Sequence, residues 1–496
     1  MTGRKDAALI FAETVDIGGV VFYSLENLEV ESVPGKGFRA MKNQIETVAE
    51  DHLSLRQTLA YSAGELAATY LPMALTSWLM YFYYQTDENG NVVAPLMTLA
   101  AFSIVQFVGK ISDSLANPLV GYLSDRTRSR WGRRIPYIIF GAPLMALTTA
   151  LIWFPPDDHP SMANNLWLLA NLVIFWASYT FVVAPYLALM PEIARSNEER
   201  IKVGGYMAGG DILGFLISGG VVGALIFALK DKVHLGPVND PYKLLFIISG
   251  IAVLILFYLT WWFIKETPHS EAKEVKMGFF ESISETLKNP TFPYWVLTIT
   301  LLNPIRGVIF GVMPFFTKSV LKLGDSAELW AGFFQMGILV GAGVCLPLIN
   351  WAANKYGKKK MFMYGVLSFA AIMPINVAIA FLPLEPGVLK FVSLAGFALL
   401  GPGAASMLTL WRPIISDTID FDEKLTGYRR EAIYMGVEGL IGKLGDGMAP
   451  IVIAISFALF AGAGGNLTNG VLAAMIADAV LVIVTCLIFR KYPIVK

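Results

Sequence analysis

Charge is scarce in this sequence. Only 15% of its 496 residues are Asp, Glu, Lys or Arg, whereas soluble domains carry about 25%. Too few charges are present to clothe the surfaces of the several soluble domains that a chain this long would form. The 38 Lys and Arg are balanced by 38 Asp and Glu, which excludes an overall basic footprint for nucleic acid. Cysteine is nearly absent. Cys345 and Cys486 alone exclude a disulfide framework and a cysteine-rich metal site, so no metal ligands are assigned. The four histidines, His52, His159, His234 and His269, all fall outside the long apolar runs, so proton chemistry inside those runs must use carboxylates. There is no GxxxxGK[ST] phosphate loop and no HExxH pair, which argues against a self-contained ATP-driven pump and against an embedded enzyme.

Hydrophobic residues make up 55% of the chain. They gather into twelve runs, at 57–84, 95–124, 135–154, 163–191, 202–229, 242–264, 291–319, 327–350, 361–382, 387–415, 431–460 and 468–490. About 20 residues of helix cross the roughly 30 Å of bilayer hydrocarbon. The runs are apolar on every face rather than alternating, which excludes a strand reading. The expected fold class is therefore an all-α membrane protein with twelve transmembrane helices. Lys and Arg concentrate in alternate loops, for example Arg126, Arg128, Arg130, Arg133 and Arg134, then Lys355, Lys358, Lys359 and Lys360. By the positive-inside rule both termini are expected in the cytoplasm, with the chain multi-pass in a plasma or inner membrane. Residues 1–54 lack a signal-peptide pattern and read as a solvated cytoplasmic extension. Asn466-Leu467-Thr468 fits a glycosylation acceptor and reads as a turn.

An internal repeat organises the runs. After the second comes Gly121-Tyr-Leu-Ser-Asp125-Arg126, then Gly132-Arg133-Arg134. After the eighth comes Asn350-Trp-Ala-Ala-Asn354-Lys355-Tyr-Gly357-Lys358-Lys359. A glycine frees the backbone for a tight turn in each copy. The expected division is a six-helix half at 55–264, a cytoplasmic loop at 265–290 and a second half at 291–496, with a substrate site between the halves.

Ionisable side chains inside apolar runs cost about 2.5–3.5 kcal/mol on insertion scales, so each is a candidate site residue. Lys110, Asp113 and Asn117 share one helical face. An Asp beside an amide oxygen can ligate a small hard cation or carry a proton. Glu65, Asp211, Arg306, Arg412, Glu438, Lys443, Asp446 and Asp478 complete the set. The aromatics Tyr61, Tyr179, Tyr186, Trp411 and Tyr434 are further candidates, as stacking surfaces for a ring-shaped solute.

The repeated loop resembles the signature of the major facilitator superfamily. The first copy, Asp125-Arg-Thr-Arg-Ser-Arg-Trp-Gly-Arg-Arg-Ile-Pro136, is similar to the glycoside–pentoside–hexuronide:cation symporter family, of which the melibiose carrier is a member. Pro185-Tyr-Leu-Ala-Leu-Met-Pro191-Glu192, Asp417-Thr-Ile-Asp420 and Lys443 extend the resemblance from about residue 57 to the end. The resemblance implies a major facilitator fold and cation-coupled symport of a glycoside or related solute by alternating access. Its implied coupling site is Asp113, Asn117, Thr180 and Lys443, with Asn117 standing where the family has a second carboxylate. That loss of charge disfavours Na⁺ and leaves H⁺, Na⁺ or uncoupled transport open. Glu65 falls on a sugar-binding carboxylate of the family. With Lys443, Asp211, Tyr186 and Trp411 it makes up the expected substrate set. Two family sugar-binding positions are Val183 and Leu187 here, so a more apolar cargo such as a lysolipid is the alternative. Asp125, Arg126, Arg133, Glu192, Arg200, Asp417 and Asp420 are expected to form a cytoplasmic gate. The implied partners are a small-molecule substrate, the coupling cation and the lipid bilayer, with no nucleic acid. No cofactor is expected, and the protein is expected to be a monomer.

Overall fold

The computed structural model describes residues 15–17, 20–22, 53–194, 196–266, 284, 286–427, 430–462 and 466–493. The chain divides into two units, Met1–His52 and Leu53–Lys496. In the first unit β1 (Val15–Ile17) pairs antiparallel with β2 (Val20–Phe22). The remainder of the expected extension up to residue 52 lies outside the described residues.

Among the described residues of the second unit twelve helical spans follow one another. They are α1 (Leu55–Tyr83), α2 (Leu99–Arg126), α3 (Ile135–Leu151), α4 (Met162–Ile193), α5 (Asn197–Leu216, continued through a π-turn at Ile217–Val221 into Val222–Leu229), α6 (Pro241–Phe263), α7 (Phe292–Phe315), α8 (Ala327–Tyr356), α9 (Lys358–Ile379), α10 (Pro386–Ala398 and Gly401–Thr426), α11 (Glu431–Asp446 and Ala449–Phe460) and α12 (Thr468–Arg490). Among the described residues ten of these are long and apolar enough to cross a membrane. The other two are α3, a shorter apolar helix, and α1, whose 29 residues are diluted by Gln57, Ser62, Glu65 and other polar side chains.

Local chemistry explains the starts. Ser54 and Gln57 form a capping box at α1. Thr98, Ser161, Ser196 and Asp240 accept from backbone N–H groups at the starts of α2, α4, α5 and α6, satisfying donors that have no intrahelical partner. Proline occupies the first turn of α3, α6, α7 and both pieces of α10, where its missing N–H costs nothing.

Three boundaries differ most from those expected. α5 begins at Asn197, because Ser196 caps it there. Arg200 and Lys202 are thus helical rather than in a loop. α8 runs on to Tyr356 and α10 to Thr426, which places Asp417 and Asp420 on a helix. Hydropathy marks where hydrocarbon ends, whereas a helix continues until a residue stops it. Here the stops are Gly357 (φ 96°) and Gly427 (φ 75°), in backbone conformations that favour glycine. The two copies of the repeated loop share this device, since Gly132 also has positive φ, at 106°.

α1 packs on α5 and α6, α2 on α4, and α3 on α4 and α6. Among the later helices α7 packs on α11 and α12, and α10 on α8 and α9. α2 meets α11, α1 meets α7, and α5 meets α8. Some crossings are tight because they use glycine. A Cβ on Gly250 of α6 would stand 2.6 Å from the Ala146 carbonyl oxygen of α3. Gly250→Val is therefore expected to destabilise the protein by about 1–3 kcal/mol through overpacking. A lower melting temperature in detergent checks this.

The basic loops lie at one end of the bundle, and at the other end early and late helices touch. There Ser77 of α1 donates to Gln335 of α8 at 3.1 Å, and Tyr81 meets Phe315 of α7 edge-on at 5.1 Å. Lys230 pairs with Asp325 at 2.5 Å. The Leu467 N–H donates to the Gly90 carbonyl at 2.7 Å. The Asn466 amide donates to the Asn89 carbonyl, so Asn466 ties two turns together. Nearer the basic end, a Cβ on Gly205, Gly209, Gly436 or Gly439 would meet open space.

Candidate functional site

Three helices bring the expected coupling residues together. α2 carries Asp113, whose side chain is only 1% exposed. From α4 the Thr180 hydroxyl donates to Asp113 Oδ1 at 2.5 Å. From α11 Lys443 Nζ donates to the same oxygen at 2.6 Å and to Thr180 Oγ1 at 3.3 Å. Lys110, one turn earlier on α2, reaches Asp113 Oδ2 at 3.5 Å. Its ammonium sits 3.2 Å from the Trp176 ring centroid, a cation–π arrangement that is strongest away from water. Asp113 thus receives two ammonium groups and a hydroxyl, a set able to hold a buried carboxylate in its charged form. Asn117 shares the face but makes no side-chain hydrogen bond among the described residues.

Backbone geometry makes this meeting possible. α11 is interrupted after Asp446, and a Cβ on Gly447 would lie 3.0 Å from Lys110 Cβ and 3.0 Å from Phe107. A side chain at this position would press on α2. The Ser114 hydroxyl donates to the Leu440 carbonyl, and Asn303 Nδ2 of α7 donates to the Gly442 carbonyl at 2.7 Å. Both hold α11 at this depth.

A second group lies on α1 and α5. The Thr69 hydroxyl donates to Asp211 Oδ1. Glu65 and Asp211 lie close enough for each to feel the other's charge, and Arg412 of α10 is the cation both feel. Glu65 Oε2 is buried with no hydrogen-bond partner. Tyr186 is nearby but fully buried. Its hydroxyl donates to the Tyr61 carbonyl at 2.7 Å, and Tyr61 returns the bond to the Tyr186 carbonyl at 2.8 Å. The two rings stack at 4.7 Å. Trp411 is 43% exposed and its indole donates to Glu438 Oε1 at 2.5 Å.

The expected gate residues fall at the basic end in separate clusters. Arg133 and Arg134 both reach Glu192 Oε1, at 2.8 and 3.0 Å. Glu266, following α6, accepts from the backbone N–H groups of Arg133 and Arg134 at 2.8 Å each and so caps α3. Arg200 Nε donates to the Ala194 carbonyl at 2.9 Å. Asp417 pairs with Lys358 of α9 at 2.5 Å. Arg126 ends α2 and Asp420 lies on α10. The side chain of Asp125 lies outside the described residues.

Sequence reasoning gave Glu438 and Asp478 no role and left Arg306 as a substrate or gate residue or the partner of a nearby acid. Arg306 of α7 pairs with Asp446 at 3.2 Å. Glu438 accepts from Trp295 at 2.9 Å as well as from Trp411. Asp478 of α12 is wholly buried with neither oxygen hydrogen-bonded. Scarce charge flagged each acid in the sequence, but nothing local named the indoles or the guanidinium.

Comparison with known proteins completes the assignment. The family described as MFS/sugar transport protein matches residues 60–495. An uncharacterised symporter of Bacillus subtilis, YnaJ, is 26% identical over 81% of this chain and 82% of its own length. A putative sulfoquinovose importer of Escherichia coli is 25% identical over 77% of this chain and 78% of its own. The mouse sodium-dependent lysophosphatidylcholine symporter 1 is 24% identical over 92% of this chain and 89% of its own. The fold superposes on a solved D-xylose–proton symporter with a TM-score of 0.60 at 15% identity, covering 89% of this chain and 98% of that one. The chain therefore belongs to the MFS/sugar transport protein family, as a multi-pass, symporter-type membrane transporter and not an enzyme.

Proposed function

We propose that this transporter is a monomer that moves a glycoside or related small solute together with H⁺ or Na⁺ by alternating access. The observation that carries the reading is the Asp113–Thr180–Lys443 junction between α2, α4 and α11. It links early and late helices through one carboxylate whose partner depends on occupancy. A cation or proton arriving at Asp113 releases Lys443, and a two-state contact of that kind is what coupling requires. The single carboxylate, with an amide at Asn117, favours a proton over Na⁺. The name of the mouse relative, which includes sodium dependence and lysophosphatidylcholine, supports the alternative of Na⁺ with an amphipathic cargo. Glu65 and Asp211, polar groups of the paired α1 and α5, are the proposed hydroxyl-binding acids, with Trp411 as a ring-stacking surface. In this reading residues 55–264 and 291–496 are the two moving halves, joined by 265–290. Both termini and the extension 1–54 are cytoplasmic, and the protein resides in a plasma or inner membrane. The Arg133–Glu192 and Lys358–Asp417 clusters belong to the inner gate. Tight crossings far from the basic loops and open space beside Gly205, Gly209, Gly436 and Gly439 support a state open towards the cytoplasm.

The test is uptake into proteoliposomes of labelled glycosides, uronates and lysolipids under imposed proton or sodium gradients. Accumulation of a glycoside or uronate under a proton gradient is the expected result. Failure of every class to exchange or accumulate would overturn the transport reading. Asn117→Asp restores the second carboxylate beside Asp113 and is expected to confer Na⁺ stimulation absent from the unaltered protein. Equal uptake with and without Na⁺ in that variant would remove the sodium-site argument.

A further inference from the structure

A cavity of about 70 Å³ lies beside the coupling site, lined among others by Gln106, Lys110, Trp176, Arg306 and Asp446. That is several times the roughly 10–15 Å³ one water requires. It opens where α1, α2, α4, α7 and α11 meet, and the charges around it do not balance. Lys110, Lys443 and Arg306 are cationic, and Asp113 and Asp446 are anionic. Lys110 feels the other four. Three cations against two carboxylates leave one positive charge in excess, and the side chains of Arg306 and Asp446 are 38% and 22% exposed, so the excess is open to an arriving anion. Lys110 and Arg306 both line the cavity. Each has only one carboxylate contact, at 3.5 and 3.2 Å, which leaves N–H donors for a further acceptor.

We propose that Lys110 and Arg306 form a binding site for an anionic substituent of the cargo, a carboxylate, sulfonate or phosphate. This inference rests on the transporter reading and deepens it by naming the chemical class of cargo. It also states how the cargo couples to the cation. When Asp113 takes a proton, the cluster holds three cations against one carboxylate, and its attraction for an anion rises. By linkage the bound anion raises the proton affinity of Asp113 by the same factor. One proton entering with one anionic group leaves the net charge of the site unchanged. Besides Lys110 on its own helix, Asp113 is faced by Thr180 and Tyr179 on α4 and by Lys443 on α11. Asp446 and Arg306 lie behind Lys110. The Tyr179 hydroxyl is already donated to the Ala68 carbonyl at 2.8 Å, so it does not compete for the anion.

The experiment uses the full chain in lipid nanodiscs and two matched probe pairs. Phenyl glucuronide is compared with phenyl glucoside, and a lysophosphatidate with the corresponding monoacylglycerol. Within each pair only the anionic group differs, and the two pairs separate a sugar acid from a lipid phosphate. The charged member of one pair is expected to bind about tenfold more tightly, equivalent to about 1.4 kcal/mol. The preference is expected to rise from mildly alkaline to mildly acidic pH and to lose its pH dependence in Asp113→Asn. Arg306→Gln and Lys110→Gln are each expected to abolish the preference, while Arg306→Lys retains part of it and controls for folding. Equal affinity within both pairs, no binding by any of the four probes, or a preference that survives both Gln variants overturns the inference. A neutral glycoside that exchanges in liposomes with no anion preference would sink this inference alone and leave the transport reading intact.

Discussion

Asp113→Asn is expected to abolish gradient-driven accumulation while leaving exchange of cargo measurable. The substitution changes the shape of the side chain very little. Its amide oxygen still accepts from Thr180, which donates to Oδ1 at 2.5 Å, so α2 and α4 stay in register. What is lost is a carboxylate that, alone among the described residues, is reached by both Lys110 and Lys443. The neutral amide fixes the cluster in the charge state that a proton or cation on Asp113 would create. A carrier held in that state can still bind cargo and cross between its two conformations, but no ion is taken up on one side and released on the other. With no differential binding there is no coupling free energy, and the accumulation ratio falls to about one. Counterflow with cargo on both sides, measured beside net uptake under a gradient, separates the two losses. Undiminished accumulation would exclude Asp113 as the coupling group. Loss of counterflow together with uptake would mean that Asp113 is required for cargo binding itself.

The helical architecture was legible because hydrocarbon imposes one requirement on every span. Runs of about 20 apolar residues appear wherever a helix crosses, and the start of α12 at Thr468 and the start of α3 at Ile135 coincide with the ends of such runs. Ends outside the hydrocarbon were less legible. α10 continues through Asp417 and Asp420 to Thr426 because nothing stops it before Gly427. Asp113, Thr180 and Lys443 were found together by resemblance, and charge scarcity made two of them conspicuous. The indole donors of Glu438 were not legible, since Trp295 and Trp411 lie on other helices and aromatic residues are common throughout the chain. Tyr186 shows the same limit from the other side. It lies near Glu65, but no sequence pattern reveals that its hydroxyl and that of Tyr61 are each committed to the other's backbone. Pairings between distant helices are set by packing, and packing is decided by all the spans at once.

Lys443 offers the sharpest separation of a coupling role from charge neutralisation. Lys443→Gln removes a cation 2.6 Å from a carboxylate that is 1% exposed. Leaving one partner of a buried pair uncompensated costs about 3–5 kcal/mol. Here Lys110, 3.5 Å from the other oxygen, offsets part of that cost. A loss towards the lower end of the range is therefore expected, read as a fall in melting temperature. Asp113→Asn alone removes the carboxylate and leaves two ammonium groups without it, so it too is expected to destabilise. The double variant removes both charges of the closest pair and is expected to be more stable than the sum of the single losses predicts, by about 0.5–3 kcal/mol, the range for residues in direct contact. Stability alone does not reveal function, so the same proteins are assayed for uptake. If the Asp113–Lys443 pair is purely structural and neither residue carries the coupling, the double variant should regain both stability and accumulation. If the bond between α11 and α2 must form and break with each cycle, stability returns and accumulation does not. The second outcome is expected, because Lys443 also bonds Thr180 at 3.3 Å and so ties α11 to α4 as well as α2. Recovery of accumulation in the double variant would reduce the pair to a structural role and return the search for the coupling group to Glu65 and Asp211.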